Sequence, residues 1–148
     1  GLLHMIGGLV PIPGDWSQNT DPGVGGVVYN WWLIPDHLKY DQIIHAYGFA
    51  ITTWLCWQGL SSIARTQNDE PLRPTLGLMT LCAAAGMAFV PLNEIIEFIA
   101  TLTLPQTNVG GYINTGWDLV YNMIGSIIAA SMIFYTQGKT PAPRLDNQ

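Results

Sequence analysis

The stretch WDLVYNMIGSIIAASMIFY, residues 117–135, has the length and composition of a membrane span but begins with polar side chains. A helix needs about 20 mostly apolar residues to cross a bilayer. Asp118 and Asn122 are separated by four residues, so both project from one face of a helix. Small residues farther along would let a neighbouring helix approach closely; these are Gly125, Ser126 and Ala129. The stretch therefore predicts a packed membrane helix whose first turns carry a polar face.

Two other segments, residues 40–63 and 75–102, are also long enough to span a bilayer, and Pro91 is expected to kink the second. Residues 1–11 are apolar but shorter, so we expect them to be the end of a first helix whose earlier residues are missing. The predicted fold class is all-α: a polytopic transmembrane helical bundle of about four helices, the first truncated. We expect one transmembrane domain over residues 1–137, with helices at about 1–11, 40–63, 75–102 and 117–136, and a flexible polar tail over 138–148. Residues 13–36, rich in Gly, Pro, Asn and Asp, predict an interfacial loop.

The composition favours a membrane location and excludes several other classes. Apolar residues make up 49% of the chain and charged residues only 10%, whereas soluble domains carry about 25% charged residues. A net charge of −5 and the absence of any Lys/Arg cluster argue against nucleic acid as a partner. The two cysteines form neither a C-x-x-C motif nor a Cys/His pattern, so neither a disulfide scaffold nor a zinc finger is indicated. The expected partner is the lipid bilayer.

Basic residues predict the orientation of the bundle. They flank the connection 65–74 and follow the last helix, whereas residues 105–116 contain none. These basic residues are Arg65, Arg73, Lys139 and Arg144, and Lys39 is the one basic residue on the other side. Because cytoplasmic connections carry an excess of Lys and Arg, we expect residues 65–74 and the C-terminus to be cytoplasmic.

Ionisable side chains recur inside the predicted helices, where each costs about 2.5–3.5 kcal/mol on insertion scales and is a candidate for function. They form sets that share a helix face: Asp41 with His45, Glu94 with Glu97, and Asp118 with Asn122, while His4 lies in the first segment. At about 1.5 Å per residue, each paired set lies within about 12 Å of one end of its helix. In an alternating up-and-down bundle these ends share one level, near the non-cytoplasmic face.

Imidazoles grouped with carboxylates suit one divalent transition metal such as Zn, Mn or Fe. The predicted ligands are His4, Asp41, His45, Glu94, Glu97 and Asp118. Asn122 is expected to contact a ligand rather than the metal itself. A metal-bound water there could attack an ester, or the site could bind a lipid head group.

Other interpretations stay open: Asp41 and His45 as a pair that anchors a helix end, Asp118 as a helix N-cap, and His45 or His4 as a ligand of haem or a chlorin. The aromatic residues Trp54, Trp57, Trp117 and Tyr121 are expected to face lipid or the interface.

The motifs around these residues resemble a known family. Residues 4–7 (HMIG) and 40–48 (YDQIIHAYG) are similar to the H-x-x-G and Y-D-x-x-x-H-x-x-G pattern of small bacterial inner-membrane proteins of the YjdF type, which are related to the VanZ-like group. The pair Glu94 and Glu97 resembles that family's acidic helix, and residues 117–125 (WDLVYNMIG) resemble its closing helix. The likeness covers residues 3–130 and implies a bacterial inner-membrane protein of four to six helices, without an established reaction.

Two departures from the pattern bear on the metal. Met5 stands where the family often has an acid after the first histidine, and Asn122 stands where many relatives carry a second Asp. Both remove a carboxylate, which weakens the carry-over of a dinuclear metal site from that family and leaves a mononuclear site open. Three function classes follow: a membrane protein with a metal or polar-ligand site, acting on a lipid or envelope precursor; a non-catalytic accessory subunit of a larger membrane complex; and a small proton-coupled transporter that uses Glu94 and Glu97.

Overall fold

The structure is a computed structural model that describes residues 2–14, 20, 26–68, 72–104 and 111–138. Its described residues are all-α apart from one short hairpin. The helices in chain order are α1 (Leu2–Leu9), α2 (Tyr40–Asn68), α3 (Leu76–Ala88), α4 (Val90–Thr103) and α5 (Tyr112–Gln137). The tail predicted over residues 138–148 lies outside the described residues, except for Gly138.

A short hairpin precedes α2, where the sequence predicts only a loop. A 3-10 turn at Val28–Asn30 leads into β1 (Trp32–Ile34), which pairs antiparallel with β2 (Leu38–Lys39). Asp36 in the turn between the strands has φ 59°, a left-handed conformation that Asp tolerates better than most residues. Strands of two and three residues are too short to leave an alternating pattern in the sequence, so the hairpin gave no signal.

The predicted helix 75–102 consists of two helices. α3 ends at Ala88 and α4 begins at Val90, with Phe89 between them. Pro91 is the second residue of α4, where its missing N–H costs nothing. The same ring would clash with the carbonyl of Met87 if α3 continued through it. The chain therefore breaks two residues before the proline rather than bending at it.

The last helix begins earlier than residue 117. α5 starts at Tyr112, after Gly111, and this places Asn114 on the helix. Asp118 then lies in the second turn rather than at the N-cap. The interpretation of Asp118 as a helix cap is therefore wrong, because the helix has already begun when the chain reaches it.

Two helical stretches are long and apolar enough to cross a membrane: Leu76–Thr103 with 28 residues and Tyr112–Gln137 with 26. Only 22% and 33% of their most apolar windows are buried inside the protein. The core helix of a soluble protein would be mostly buried, so these exposed apolar surfaces call for lipid around them. The bundle is accordingly that of an integral membrane protein. The 29-residue α2 is longer but less apolar, and its buried residues include the polar side chains of Asp41, His45 and Thr53.

Parallel helices α2 and α5 lie in close contact, and α3 packs against both. A Cβ added to Gly125 of α5 would lie 2.6 Å from the carbonyl carbon of Ala46 in α2. A Cβ added to Gly86 of α3 would lie 3.3 Å from Thr53 Cα in α2. Small residues at both crossings thus let the backbones approach, as membrane helices require in the absence of a hydrophobic force between them.

Trp57 is buried, so the prediction that it faces lipid is wrong. It is 1% exposed, and its Nε1 donates to Gln137 Oε1 at 2.7 Å. An indole can be buried when its N–H finds such an acceptor. It joins a core made of Trp57, Met79, Cys82, Ala130 and Ile133. Trp54 and Trp117 lie on the outer surface, as expected, with 45% and 53% exposure.

Replacing Gly125 with Ala tests the close approach of α2 and α5. The new Cβ must displace the backbone of Ala46, and overpacking of this kind costs about 1–3 kcal/mol, so the midpoint of thermal unfolding in detergent should fall. Gly59→Ala is the matched control, because nothing lies within 4 Å of its added Cβ. There the better helix propensity of Ala should add about 0.5–1 kcal/mol of stability. Equal effects of the two substitutions would contradict this packing.

Candidate metal centre

A buried group of one imidazole and two carboxylates joins α2 to α5. Asp41 and His45 come from successive turns of α2, and Asp118 comes from the second turn of α5. One ligand atom from each residue lies within 4.8 Å of the other two. Both acids are only 1% exposed. Carboxylates buried this deeply must be paired, protonated or bound to a cation.

Asn122 fixes the direction of the imidazole. His45 Nδ1 lies 3.0 Å from Asn122 Oδ1. Because an amide oxygen only accepts, Nδ1 carries a hydrogen and donates it. The other nitrogen, Nε2, then faces a carboxylate oxygen of Asp41 at 3.2 Å and one of Asp118 at 3.9 Å. Asn122 thereby sets the tautomer and the ring orientation of His45. Histidines that bind metals commonly have a supporting residue in this role.

Asn114 holds the two carboxylates by their other oxygens. Its Nδ2 donates to Asp118 Oδ2 at 2.9 Å and to Asp41 Oδ2 at 3.3 Å. The two Oδ1 atoms are buried and accept no hydrogen bond from the described residues. These same Oδ1 atoms are the ones that approach His45 Nε2. Three electron-pair donors that converge in this way repel one another unless a proton or a metal ion lies among them.

Tyr29 covers the site from the loop before α2. Its hydroxyl lies 3.3 Å from His45 Nε2 and interacts with the Asp41 carboxylate. Burial, followed by the negative charge of Asp41, raises the pKa of the Tyr29 phenol well above its ordinary value. The phenol therefore stays protonated and remains a donor. Its ring lies against Gly7 of α1, where an added Cβ would be 2.7 Å from Tyr29 Cδ2, so α1 holds Tyr29 over the site.

The two distances from the imidazole nitrogen to the carboxylates are compatible with a single metal ion. In a tetrahedral site with metal–ligand distances of about 2.1 Å, ligand atoms lie about 3.4 Å apart. The distances of 3.2 and 3.9 Å from His45 Nε2 to the two carboxylates lie on either side of that value. One nitrogen and two carboxylate oxygens could hold a metal ion, and three protein ligands would leave a position for a further ligand.

Glu94 and Glu97, which the sequence also predicts as ligands, are not part of this three-residue group. They line an open cavity of about 340 Å³ between α4 and the beginning of α5. Asn93 Nδ2 donates to Glu97 Oε1 at 2.8 Å, while Glu94 Oε1 is buried and accepts no hydrogen bond from the described residues. Both glutamates are nevertheless near enough for their charges to act on the Asp118 carboxylate. The side chain of His4 lies outside the described residues.

Two residues of the site carry no prediction from the sequence. Asn114 falls in a predicted loop, yet its spacing of four residues from Asp118 was a usable signal, since it repeats the spacing of Asp118 and Asn122. Tyr29 had no comparable signal. Its contact with His45 depends on the path of the hairpin that reverses the chain before α2.

Substitution of Asn114 by Ala tests whether its amide stabilises the two carboxylates. Hydrogen bonds to charged groups contribute about 1.5–3 kcal/mol, and Asn114 donates to two buried acids, so thermal unfolding measured with a chelator present should shift to lower temperature. Asn93→Ala is the control, because the amide of Asn93 donates to Glu97 of its own helix and not to either of the two buried aspartates. A loss of stability no larger than that of the control would contradict the bridging role.

Comparison with known proteins places the chain in a family. A family model described as "Predicted membrane protein (DUF2238)" matches residues 24–139. A Thermotoga maritima protein, named only as an uncharacterized protein, is 27% identical over 96 residues, which cover 64% of this chain and 47% of that protein. The chain thus aligns with about half the length of this relative, and no solved structure matches it. The family match extends over all the site residues described above, from Tyr29 to Asn122. The chain belongs to the DUF2238 family of predicted membrane proteins.

Proposed function

We propose that this membrane protein binds one divalent transition metal through Asp41, His45 and Asp118. The observation that carries the proposal is the pair of buried Oδ1 atoms that accept no hydrogen bond from the described residues and approach the same imidazole nitrogen. A single proton on His45 Nε2 would serve Asp41 Oδ1 at 3.2 Å but leave Asp118 Oδ1, at 3.9 Å, unsatisfied, and an unsatisfied buried acceptor costs about 1–3 kcal/mol. A metal ion would satisfy both.

The donor set is compatible with Zn, Mn or Fe, and the chemistry that such an ion supplies is Lewis-acid activation of an ester or phosphate oxygen. The substrate class proposed is a lipid or an envelope precursor, because the site belongs to a membrane bundle. Tyr29 would donate a hydrogen bond to a ligand held there.

We also propose a finer placement for the chain: a YjdF-type, VanZ-like protein of the bacterial inner membrane. The order and spacing of the motifs around His45 and Asp118 support it. The metal centre would lie near the non-cytoplasmic face, with the C-terminus cytoplasmic. Arg65 supports this orientation, because it lies in the last turn of α2 while Asp41 lies in the first.

A second candidate is an accessory subunit of a larger membrane complex, in which the same residues only hold the bundle together. The distance of 3.2 Å between His45 Nε2 and Asp41 Oδ1 favours it, because a protonated imidazole would form an ion pair there. In that case a proton would replace the metal. The two candidates differ in metal content.

Elemental analysis of the detergent-purified protein separates them. We expect about one equivalent of Zn, Mn or Fe per chain, retained through gel filtration and lost in Asp118→Asn, which keeps the shape of the side chain but removes an anionic ligand. Asp36→Asn is the matched control, because it makes the same change on the exposed turn between β1 and β2. Wild-type protein that takes up none of the three metals, even from an excess, would overturn the metal proposal and leave the accessory role.

The supporting role of Asn122 gives a separate test. Asn122→Leu removes the acceptor of His45 Nδ1 while keeping the branching of the side chain, and loss of such a partner weakens metal binding about 10–100-fold. Metal titration followed by calorimetry should show that change in affinity with the stoichiometry unaltered at saturation. Asn93→Leu should bind metal as the wild type does, because the amide that it removes donates to Glu97 and not to a proposed ligand. An unchanged affinity in Asn122→Leu would mean that His45 is not a ligand.

A further inference from the structure

A second cavity lies at the opposite end of the bundle from the metal centre. It has a volume of about 420 Å³ and lies between the last turns of α2, the end of α5 and Leu72. Its lining residue Gln137 lies about 28 Å along α5 from Asp118, at about 1.5 Å per residue. The hydrocarbon core of a bilayer is about 30 Å thick. The two sites therefore lie at opposite membrane interfaces.

The described lining of this cavity combines one cation with neutral hydrogen-bonding groups. Arg65 is its only charged residue, and no carboxylate is among the described lining residues. Hydroxyl and amide groups surround the guanidinium; they come from Gln58, Ser61, Ser62 and Gln137. Trp57 lies beneath them, and its N–H is already bonded to Gln137.

Ser61 also lines this cavity and carries a hydroxyl that is not committed to another described residue. Its Oγ is buried and has no hydrogen-bond partner among the described residues. Hydroxyls on helices commonly donate to the carbonyl four residues earlier, as Thr66 does to Ser62 at 2.9 Å one turn later. Because no hydrogen bond from the described residues holds it in place, a rotation of the Ser61 side chain would bring this hydroxyl to a molecule in the cavity that Ser61 and Arg65 both line.

We propose that this cavity binds a phosphate-ester anion, the chemistry shared by phospholipid head groups and soluble phosphates. The planar guanidinium of Arg65 matches phosphate oxygens, and the serine hydroxyls supply further donors. The volume lies within the range of about 300–1,000 Å³ typical of small-molecule sites. The inference does not depend on the metal centre, because the two sites share no residue.

An arginine in the last turn of a helix has an ordinary role as well, since it compensates the negative C-terminal dipole. That role requires neither a cavity nor an unsatisfied serine hydroxyl beside the guanidinium. It also gives Arg65 no preference for one lipid over another. A ligand-binding measurement therefore distinguishes the two roles, whereas a stability measurement would not.

The test compares two lipids that differ only by the phosphate: dioleoylphosphatidic acid and dioleoylglycerol. Native mass spectrometry of the full chain in a neutral detergent should show retention of the phosphatidic acid over the diacylglycerol. Arg65→Gln should weaken this binding about ten-fold or more, because a charge-assisted hydrogen bond contributes about 1.5–3 kcal/mol and each 1.4 kcal/mol is ten-fold. Arg73→Gln is the matched control, since it removes the same charge from an exposed residue outside the cavity lining.

Ser61→Ala is the second variant, and it keeps the proposal falsifiable if Arg65→Gln unfolds. It should weaken phosphatidic acid binding without lowering the thermal stability of the ligand-free protein, because the hydroxyl it removes has no partner among the described residues.

Inorganic phosphate added as a competitor shows whether the phosphate ester comes from a lipid head group or from a soluble molecule. Displacement of the lipid by phosphate indicates a soluble phosphate ester, and its failure to displace indicates a lipid head group. Equal binding of the two lipids, or equal losses in Arg65→Gln and Arg73→Gln, would overturn the proposal.

Discussion

The contact between His45 on α2 and the polar face of α5 is the constraint on which the bundle depends. Two carboxylates and an imidazole are buried there, and each charge taken from water costs several kcal/mol unless it is partnered. The partners are divided between the helices: Asn122 meets His45, and Asn114 meets both Asp41 and Asp118. These contacts form only in one register, so they specify how α2 lies on α5. Apolar side chains in lipid carry no comparable directional force.

Short polar contacts require the helix backbones to be close, and small residues provide this. Gly125 faces Ala46 one turn beyond the contact of His45 with Asn122, and Gly86 brings α3 against Thr53. A larger residue at Gly125 would separate α2 from α5 and lengthen the distance from His45 to Asn122. Packing and chemistry are thus coupled, because the glycine that permits the crossing also holds the donor atoms in place.

The two ends of the bundle differ in charge, and this difference organises the functional proposals. At one end, Asp41 and Asp118 form a site suited to a cation, with Glu94 and Glu97 acting on it from α4. At the other end, Arg65 is the one charged residue in the described lining of a cavity to which hydroxyl and amide side chains also contribute, and there we propose an anion site. Cytoplasmic faces carry more basic residues and meet more anionic lipid. The same difference in charge thus supports both the proposed orientation and the proposed ligands, a cation at the acidic end and an anion at the end that carries Arg65.

The sequence alone determined which side chains share a helix face. The spacings of Asp41 with His45 and of Asp118 with Asn122 follow from the helical period, a local property that needs no neighbour. Segment length and hydropathy likewise predicted an all-α membrane bundle. The tertiary structure decided how each helix is rotated, where it ends and what covers it. The rotation of the helices places Asp118 among the ligand atoms and Glu94 in a separate cavity. Because α5 starts earlier than predicted, Asn114 lies on the helix and reaches the site. The chain reversal before α2 places Tyr29 against His45. These features depend on contacts between residues distant in the chain, as in the burial of Trp57 by its bond to Gln137, and no local pattern encodes such contacts.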